Sequence, residues 1–365
     1  MPFLNRKEII EQIQSQRGSK ILTFFLGDRE IKPLGMNPPP GLRLDIQQDS
    51  KLFVYQTLRR IGPQKKIDLF LYTRGGDTNS VWPLVSIIKE FCDEFNVLVP
   101  FRAHSGGTMI CLAADKIVMG KMGELSPIDP TTGNPFNPPD EIMKGKRKGI
   151  SVEDLTSYLS LATEPKKFNL KEKDVLDVFK ELTKNVHPLA LGNVNRVHTQ
   201  IRLLAGKLLE LHLDPKKDDQ RIKKITDTLT EKFYSHLHFI NRREAKEIFG
   251  DDIITFSDDK LDQPMEALFQ SYADALQLQH DFCYNEVVGD NQQIEINLVS
   301  GLIENQEVSF KYETHLRLYQ RSEVPPNIQV HLQPGQVVPP IIQGLPRTFN
   351  MEVLSEGWRL NSGEV

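Results

Sequence analysis

A serine followed by two glycines, Ser105 to Gly107, offers the residue types of a nucleophile held at a tight turn. The turn separates an apolar run at residues 97–101 from a second apolar run at residues 108–114. The first run predicts a buried strand and the second a buried helix. The first amides of a helix lack intrahelical partners and carry the positive end of its dipole, so they can bind an oxyanion. The pattern therefore predicts acyl-transfer chemistry with Ser105 as the attacking group.

A second glycine pair, Gly75 and Gly76, follows the apolar run at residues 67–72. That run is nearly unbroken, as in strands that are buried on both faces of a parallel sheet. Both glycine pairs would then follow the carboxyl end of a strand, and these ends share one edge of a parallel sheet. We therefore expect Gly75 and Gly76 to lie on the same edge as Ser105, where open α/β sheets bind their ligands.

The segments around these turns alternate between strand and helix, which is typical of an α/β domain with a mainly parallel sheet. The predicted order is helix 6–16, strand 20–26, a helix from about residue 49, strand 67–72, helix 79–95, strand 97–103, helix 107–115 and strand 116–119. The middle of the chain is helical, with predicted helices at 151–162, 170–184, 189–212, 221–233 and 264–281. A capping box at Asn241 predicts one more short helix, which ends near Gly250.

The last part of the chain changes character, because its apolar residues alternate as in amphipathic strands. A proline-rich segment, Pro325 to Pro346, follows these strands. We therefore predict a domain at residues 1–284 and a β-rich C-terminal extension at residues 285–365.

Composition excludes several classes of function. The net charge of −4 does not indicate nucleic-acid binding. The three cysteines form no CxxC pair, so neither a metal site nor a disulfide is expected, and a reducing compartment is favoured. The first twenty residues are polar and lack the apolar core of a signal peptide, and no stretch approaches the ~18 apolar residues of a membrane span. We expect a cytoplasmic protein that uses no cofactor.

Four segments resemble a known clan of peptidases. Residues 67–76 resemble the strand and Gly-Gly turn of the Clp protease proteolytic subunit and the signal peptide peptidases, and residues 104–119 resemble their nucleophile segment. Residues 124–130 resemble the turn that follows, most closely in the serine dehydrogenase proteinase family, and residues 235–247 are similar to the start of that family's C-terminal helix. The resemblance covers roughly residues 20–255. It implies a ClpP/crotonase-type spiral of ββα units, serine peptidase activity on polypeptides, and self-association into a homo-oligomer.

The resemblance implies roles for the two glycine turns. Ser105 would be the nucleophile, and the amides of Gly75 and Gly76 would hold the oxyanion together with the amide of Gly106. The missing Cβ of a glycine lets the substrate approach closely. The segment Ala103 to Gly107 is not the GxSxG motif of α/β-hydrolases, so that fold is less favoured. The competing interpretation is a small serine in a structural turn.

The general base is left open between lysine and histidine. Clp subunits carry a histidine in the turn after the nucleophile helix, but residues 126–130 contain none. Signal peptide peptidases use a lysine some tens of residues after the serine, which points to Lys146. Lys144 and Lys148 fall in the same window, and such a lysine run is also typical of a solvated loop. A buried lysine could serve because burial lowers its pKa.

His187 is the histidine candidate, since histidine titrates in the right range without special burial. Its position before Pro188 also suits a residue that merely starts a helix. Asp129 would orient the base or cap its turn. His236 and His238 have the spacing of metal ligands on a strand, but no carboxylate or cysteine set completes a site. We therefore predict that both pack or line the substrate edge.

Two other functions compete with peptidase activity. The missing histidine favours a catalytically inactive scaffold or binding module that acts through its C-terminal extension. A crotonase-like acyl-CoA enzyme would use the same paired amides, but the sequence shows no basic, glycine-rich signature for the CoA phosphates.

Overall fold

The computed structural model describes residues 3–32, 37–128, 131–140, 145–164, 167–168, 170–233, 235, 238–322 and 347–362. Within these residues the chain forms eleven helices and fifteen strands. The helices are α1 Phe3–Arg17, α2 Ser50–Ile61, α3 Thr78–Lys89, α4 Gly106–Leu112, α5 Val152–Thr163, α6 Glu172–Asn185, α7 Pro188–Leu209, α8 Asp219–Glu231, α9 Arg242–Phe249, α10 Asp259–Ala275 and α11 Tyr284–Val288. The strands are β1 Lys20–Leu26, β2 Ile31–Lys32, β3 Gln64–Tyr72, β4 Cys92–Val99, β5 Arg102–Ala103, β6 Lys116–Met119, β7 Glu124–Leu125, β8 Thr131–Thr132, β9 Ile150–Ser151, β10 Ile240–Asn241, β11 Ile254–Phe256, β12 Phe282–Cys283, β13 Gln293–Glu304, β14 Ser309–Ser322 and β15 Arg347–Leu360.

An eight-stranded sheet in the order β11-β6-β4-β3-β1-β13-β14-β15 forms the centre of the molecule. Its first five strands run parallel, with Leu22 opposite Leu69 and Leu69 opposite Val97. Its last three strands are antiparallel to their neighbours. A small sheet in the order β10-β7-β5 carries the segments on either side of Ser105. The predicted α/β fold with a mainly parallel sheet and a β-rich C-terminal region is confirmed.

Apolar residues on the two faces of the central sheet build two separate cores. Along β1, Leu22 and Phe24 face the helices α2, α3, α4, α7, α8 and α9, whereas Ile21 and Phe25 face α1 and α10. All four side chains are fully buried. A strand that is buried on both faces reads as a continuous apolar run, which is why the sequence predicts these strands well.

The C-terminal strands continue the central sheet. β13 pairs with β1, with Ile303 opposite Phe24. The side chain of Glu304, at the end of β13, is buried and lies 3.0 Å from the guanidinium Nη2 of Arg6 on α1. Tyr272 on α10 donates a hydrogen bond of 2.7 Å to the same carboxylate. The predicted boundary at residue 285 therefore lies close to the change from helices to long strands. The strands after it belong to the same sheet as the strands before it.

Three predicted elements have different bounds in the structure. The helix expected at 79–95 ends at Lys89, because residues from Cys92 onward pair with β3 instead. The strand expected at 97–103 stops before Pro100, which has no amide hydrogen to donate to a ladder. The helix expected at 264–281 begins earlier, at Asp259, where the Asp258 carboxylate accepts a hydrogen bond from the Leu261 amide. The proline-rich segment 325–346 lies outside the described residues.

Within the described ranges, no group of three or more histidine, cysteine, aspartate or glutamate side chains could hold a metal ion. None of the helices that the structure describes has the length and apolarity needed to cross a lipid bilayer. The three cysteines are free thiols, and burial raises the pKa of the Cys92 thiol to about 11.

Candidate active site

Ser105 caps the N-terminus of α4 with a strained backbone, at φ +48° and ψ −109°. Such a conformation in a residue other than glycine typically costs about 1–3 kcal/mol and persists only where the surroundings fix it. Here the buried Ser126 provides the restraint, because its hydroxyl oxygen accepts a hydrogen bond of 2.8 Å from the Ser105 amide. The Ser126 hydroxyl in turn donates to the Pro127 carbonyl at 3.0 Å. The serine is therefore held at the strand-to-helix turn that the sequence predicts.

Thr108 ties the same turn together from the helix side. Its buried hydroxyl lies 2.8 Å from the carbonyl oxygen of Ala103 on β5 and 3.0 Å from that of Ser126. It also accepts a hydrogen bond of 3.1 Å from the Ser126 amide. The sequence carries only a weak local signal for this role of Thr108 and Ser126, because their partners meet only where β5 pairs with β7.

Of the Gly75–Gly76 pair, Gly76 has the amide that faces the site. Residue Ile46 bridges to Gly76: its amide donates to the Gly75 carbonyl at 2.7 Å, and its carbonyl accepts from the Asp77 amide at 2.8 Å. The Gly75 amide donates to the hydroxyl of Thr73 at 3.0 Å. Neither the Gly76 amide nor the Gly106 amide has a hydrogen-bond acceptor within the part of the chain that the structure describes.

The two glycine turns are in close contact. A Cβ added to Gly75, at φ +112°, would lie 2.8 Å from the Cβ of Ser105 and 3.0 Å from the Gly106 amide nitrogen. A Cβ added to Gly106 would lie 3.4 Å from the Gly76 amide nitrogen. Two unpaired amides therefore lie side by side next to the nucleophile candidate, which is what an oxyanion hole requires. The predicted juxtaposition of the two glycine turns is present in the structure.

A buried carboxylate, Asp28, links the strand ends that carry these turns. It accepts hydrogen bonds from the Tyr72 hydroxyl at 2.7 Å, from Arg102 Nη1 at 2.9 Å and from Arg74 Nε. Burial acts to raise the pKa of Asp28, but the hydrogen bond from Tyr72 and the charges of Arg74 and Arg102 outweigh it and lower that pKa. Arg74 directly precedes Gly75, and Arg102 lies three residues before Ser105.

No contact between described residues joins the predicted bases to Ser105. His187 is exposed, its Nδ1 accepts the Leu189 amide at 3.2 Å as the cap of α7, and its ring stacks on Phe136 at 4.8 Å. The side chain of Lys146 is also exposed, as is that of Lys148. Lys144 and Asp129 lie outside the described residues. The roles of His187, Lys146 and Asp129 stay predictions.

Two histidine–carboxylate pairs lie around the nucleophile turn. His104 Nε2 lies 3.2 Å from Glu124 Oε1, without the alignment of a hydrogen bond, and its ring stacks on Phe239 at 5.3 Å. His238 Nε2 lies 2.9 Å from Glu244 Oε1, within hydrogen-bond geometry. Glu244 thus bonds to His238, while Asn241 caps α9 by accepting hydrogen bonds from two amides.

Comparison with known proteins gives a family match. The family described as ClpP-like SDH-type serine proteinase matches residues 2–187, half of the 365-residue chain. The chain is 25% identical over 252 residues to the uncharacterized protein MJ0137 of Methanocaldococcus jannaschii, covering 69% of this chain and 74% of that protein. It is 26% identical over 234 residues to the uncharacterized protein MJ1495 of the same organism, covering 58% of this chain and 78% of that protein.

Proposed function

The chain belongs to the family of ClpP-like SDH-type serine proteinases, and we propose that it hydrolyses peptide bonds through an acyl-enzyme on Ser105. Its mixed α/β fold with a large central sheet is the ClpP-like fold of that family. One observation carries the proposal: the strained Ser105 lies beside two glycine amides that have no acceptor among the described residues.

The mechanism follows from this arrangement. The Ser105 hydroxyl oxygen attacks the scissile carbonyl carbon, while a base takes the hydroxyl proton and later delivers it to the leaving amine. The amides of Gly76 and Gly106 donate to the developing oxyanion, and Gly75 supplies the close approach between the two turns. The loss of one such donor typically lowers the rate by about 10²–10³. Water then hydrolyses the acyl-enzyme.

The base is a histidine or a lysine in this proposal, with His187 and Lys146 as the residues that the sequence predicts and Asp129 as the group that orients it.

We further propose that the substrate is a polypeptide, that the protein acts in the cytoplasm as a homo-oligomer, and that residues 285–365 can bind a protein partner. A native molecular-mass measurement in solution tests the oligomer.

Covalent labelling by a fluorophosphonate probe tests the nucleophile. We expect one probe to bind per chain, and peptide mapping by mass spectrometry to place it on Ser105. The Ser105→Ala variant should fold with an unchanged circular dichroism spectrum and take up no probe. A folded wild-type protein that takes up no probe at Ser105 would argue strongly against a peptidase.

One observation favours a second function, an inactive scaffold. No hydrogen bond joins the Ser105 hydroxyl to another group within the described part of the chain. A base would therefore have to approach this hydroxyl when substrate binds, or be supplied by another molecule. A scaffold would retain its binding activity in Ser105→Ala and would not be labelled. The labelling experiment therefore separates the two functions.

A further inference from the structure

We propose that His238, oriented by Glu244, is the general base that accepts the proton of the Ser105 hydroxyl. This inference rests on the proposed peptidase function and identifies the residue that completes its site. It is carried by the position of His238 beside the nucleophile turn and by the contacts that hold its ring.

The small sheet brings the His238 segment to the nucleophile turn. On one side of β7, Leu125 pairs with Ile240, and on the other side it pairs with Ala103. Both neighbouring segments therefore run alongside Ser126, whose hydroxyl holds the Ser105 amide at 2.8 Å. His238 lies two residues before β10, so the pairing of β10 with β7 places it close to the hydrogen bond between Ser126 and Ser105, which we call the Ser126 clamp.

A ring contact supports the same placement independently. Phe239, the residue after His238, stacks on His104, the residue before Ser105, with ring centroids 5.3 Å apart and planes 18° apart. The two chain segments are therefore in direct contact, one residue from the base candidate and one residue from the nucleophile. No such contact joins His187 or Lys146 to the turn among the described residues.

The surroundings of His238 suit a base. Its Nε2 lies 2.9 Å from Glu244 Oε1, and its ring stacks on Phe233 with centroids 4.6 Å apart. A proton on Nε2 that is donated to the carboxylate leaves Nδ1 as the proton acceptor, and the same carboxylate stabilises the imidazolium that forms. Nδ1 has no hydrogen-bond partner within the described ranges, and the side chain is 38% exposed. Two other histidines are less suited to act as the base. The Nδ1 of His187 is engaged in capping α7, and the ring of His104 is buried against Phe239.

The Ser105 oxygen forms a bond to the carbonyl carbon as its proton moves to His238 Nδ1, and the carbonyl π electrons move to the oxyanion. When the tetrahedral intermediate collapses, the carbon–nitrogen bond breaks and His238 gives the proton to the leaving amine. A water molecule then attacks the ester carbon and gives its proton to His238. The carbon–oxygen bond to Ser105 breaks, and His238 returns the proton to the Ser105 oxygen. The free protein need not show the Ser105–His238 hydrogen bond, because catalytic hydrogen bonds often tighten only in the substrate complex.

The rate of fluorophosphonate labelling at Ser105 in the full chain tests the assignment. General-base catalysis typically contributes about 10²–10⁴-fold, so we expect His238→Gln to slow labelling by that factor. The matched control is His280→Gln, at an exposed histidine in the turn after α10, which should label at the wild-type rate. Thermal unfolding of each variant confirms that it is folded.

Two further readouts separate catalysis from structure. Added imidazole should restore labelling of His238→Ala, which a packing role would not allow. Glu244 is a positioning residue, so Glu244→Gln should slow labelling, and the conservative change Glu244→Asp should recover part of the lost rate. If wild type labels but His238→Gln labels at the same rate, or if imidazole gives no rescue, the assignment is wrong while the peptidase proposal stands. If wild type does not label, the peptidase proposal itself fails.

Discussion

At the scale of single residues, the nucleophile turn depends on hydroxyl groups that take no part in the chemistry. Ser105 adopts a positive φ, and the hydroxyl of Ser126 is the acceptor that holds its amide in that conformation. Thr108 joins both ends of the turn. We infer that Ser126 determines the direction in which the Ser105 hydroxyl points.

The change Ser126→Ala should lower the labelling rate of Ser105 about 10–100-fold, since a displacement of about 1 Å can cost 10²-fold. It should also destabilise the fold by about 1–3 kcal/mol, because a buried amide loses its acceptor. Urea unfolding and the labelling rate measure the two effects. The matched control is Ser300→Ala, because the Ser300 hydroxyl is buried without a partner among the described residues. If Ser126→Ala and Ser300→Ala had equal effects, the Ser126 hydroxyl would not have the positioning role that we infer.

At the scale of elements, strand ends rather than helices position the site. Asp28 follows β1, Arg74 follows β3 and Arg102 begins β5, and their ion pairs fix these ends relative to one another. Asp28 is 7% exposed, whereas Arg74 and Arg102 are 43% and 26% exposed, so the carboxylate end of these pairs is shielded and the arginine ends reach water. A hydrogen bond to a charged group typically contributes about 1.5–3 kcal/mol to stability.

The change Asp28→Asn should therefore lower the free energy of unfolding by about 2 kcal/mol at pH 7, because the carboxylate's charged hydrogen bonds are weakened and the two arginines remain partly solvated. The pKa of Asp28 is lowered in the folded protein, so its stabilising effect is present above the unfolded pKa of about 3.9 and is lost as pH falls through the folded pKa. Wild type and variant should thus converge in stability at strongly acidic pH. Asp259→Asn is the control, because its ion pair with Lys121 is exposed and worth little. A difference that is independent of pH would contradict this account.

At the scale of the whole molecule, the C-terminal strands β13, β14 and β15 belong to the same sheet as the parallel strands of residues 1–284. β13 covers the edge of β1, and the buried Glu304 joins this strand to Arg6 on α1 and Tyr272 on α10. A sheet edge without its partner strand exposes unpaired backbone groups and promotes aggregation.

A chain that ends at residue 292 lacks β13, β14 and β15 and should not reach the wild-type unfolding temperature. We expect it to aggregate, because β1 loses its antiparallel partner and Arg6 loses its buried carboxylate. A chain that ends at residue 322 keeps β13 and β14 and should be affected less. Circular dichroism melting and light scattering measure both. A shorter chain that melts like wild type would instead support residues 285–365 as a separate domain.

The local sequence determined much of this protein. A nearly unbroken apolar run predicted β3, and β-branched and aromatic residues predicted β1, because strands that are buried on both faces are apolar along their length. Other local signals predicted the turns at Gly75–Gly76 and at Ser105–Gly107 and the start of α9 at Asn241. Each of these features is encoded within a few consecutive residues.

Tertiary structure decided what the local sequence could not. Among the described residues Gly76 rather than Gly75 offers an unpaired amide, because the Gly75 amide donates to the Thr73 hydroxyl. Ile46, thirty residues before Gly76, pairs with the Gly75 carbonyl and the Asp77 amide and so fixes the turn from a distant segment. The Ser126 clamp and the His238–Glu244 pair reach the nucleophile through a ladder that joins residues 103, 125 and 240. These pairings depend on hydrogen bonds between distant segments, which leave no periodic pattern in the sequence. The sequence alone therefore predicted the nucleophile candidate and determined its turn, and the fold decided which groups surround it.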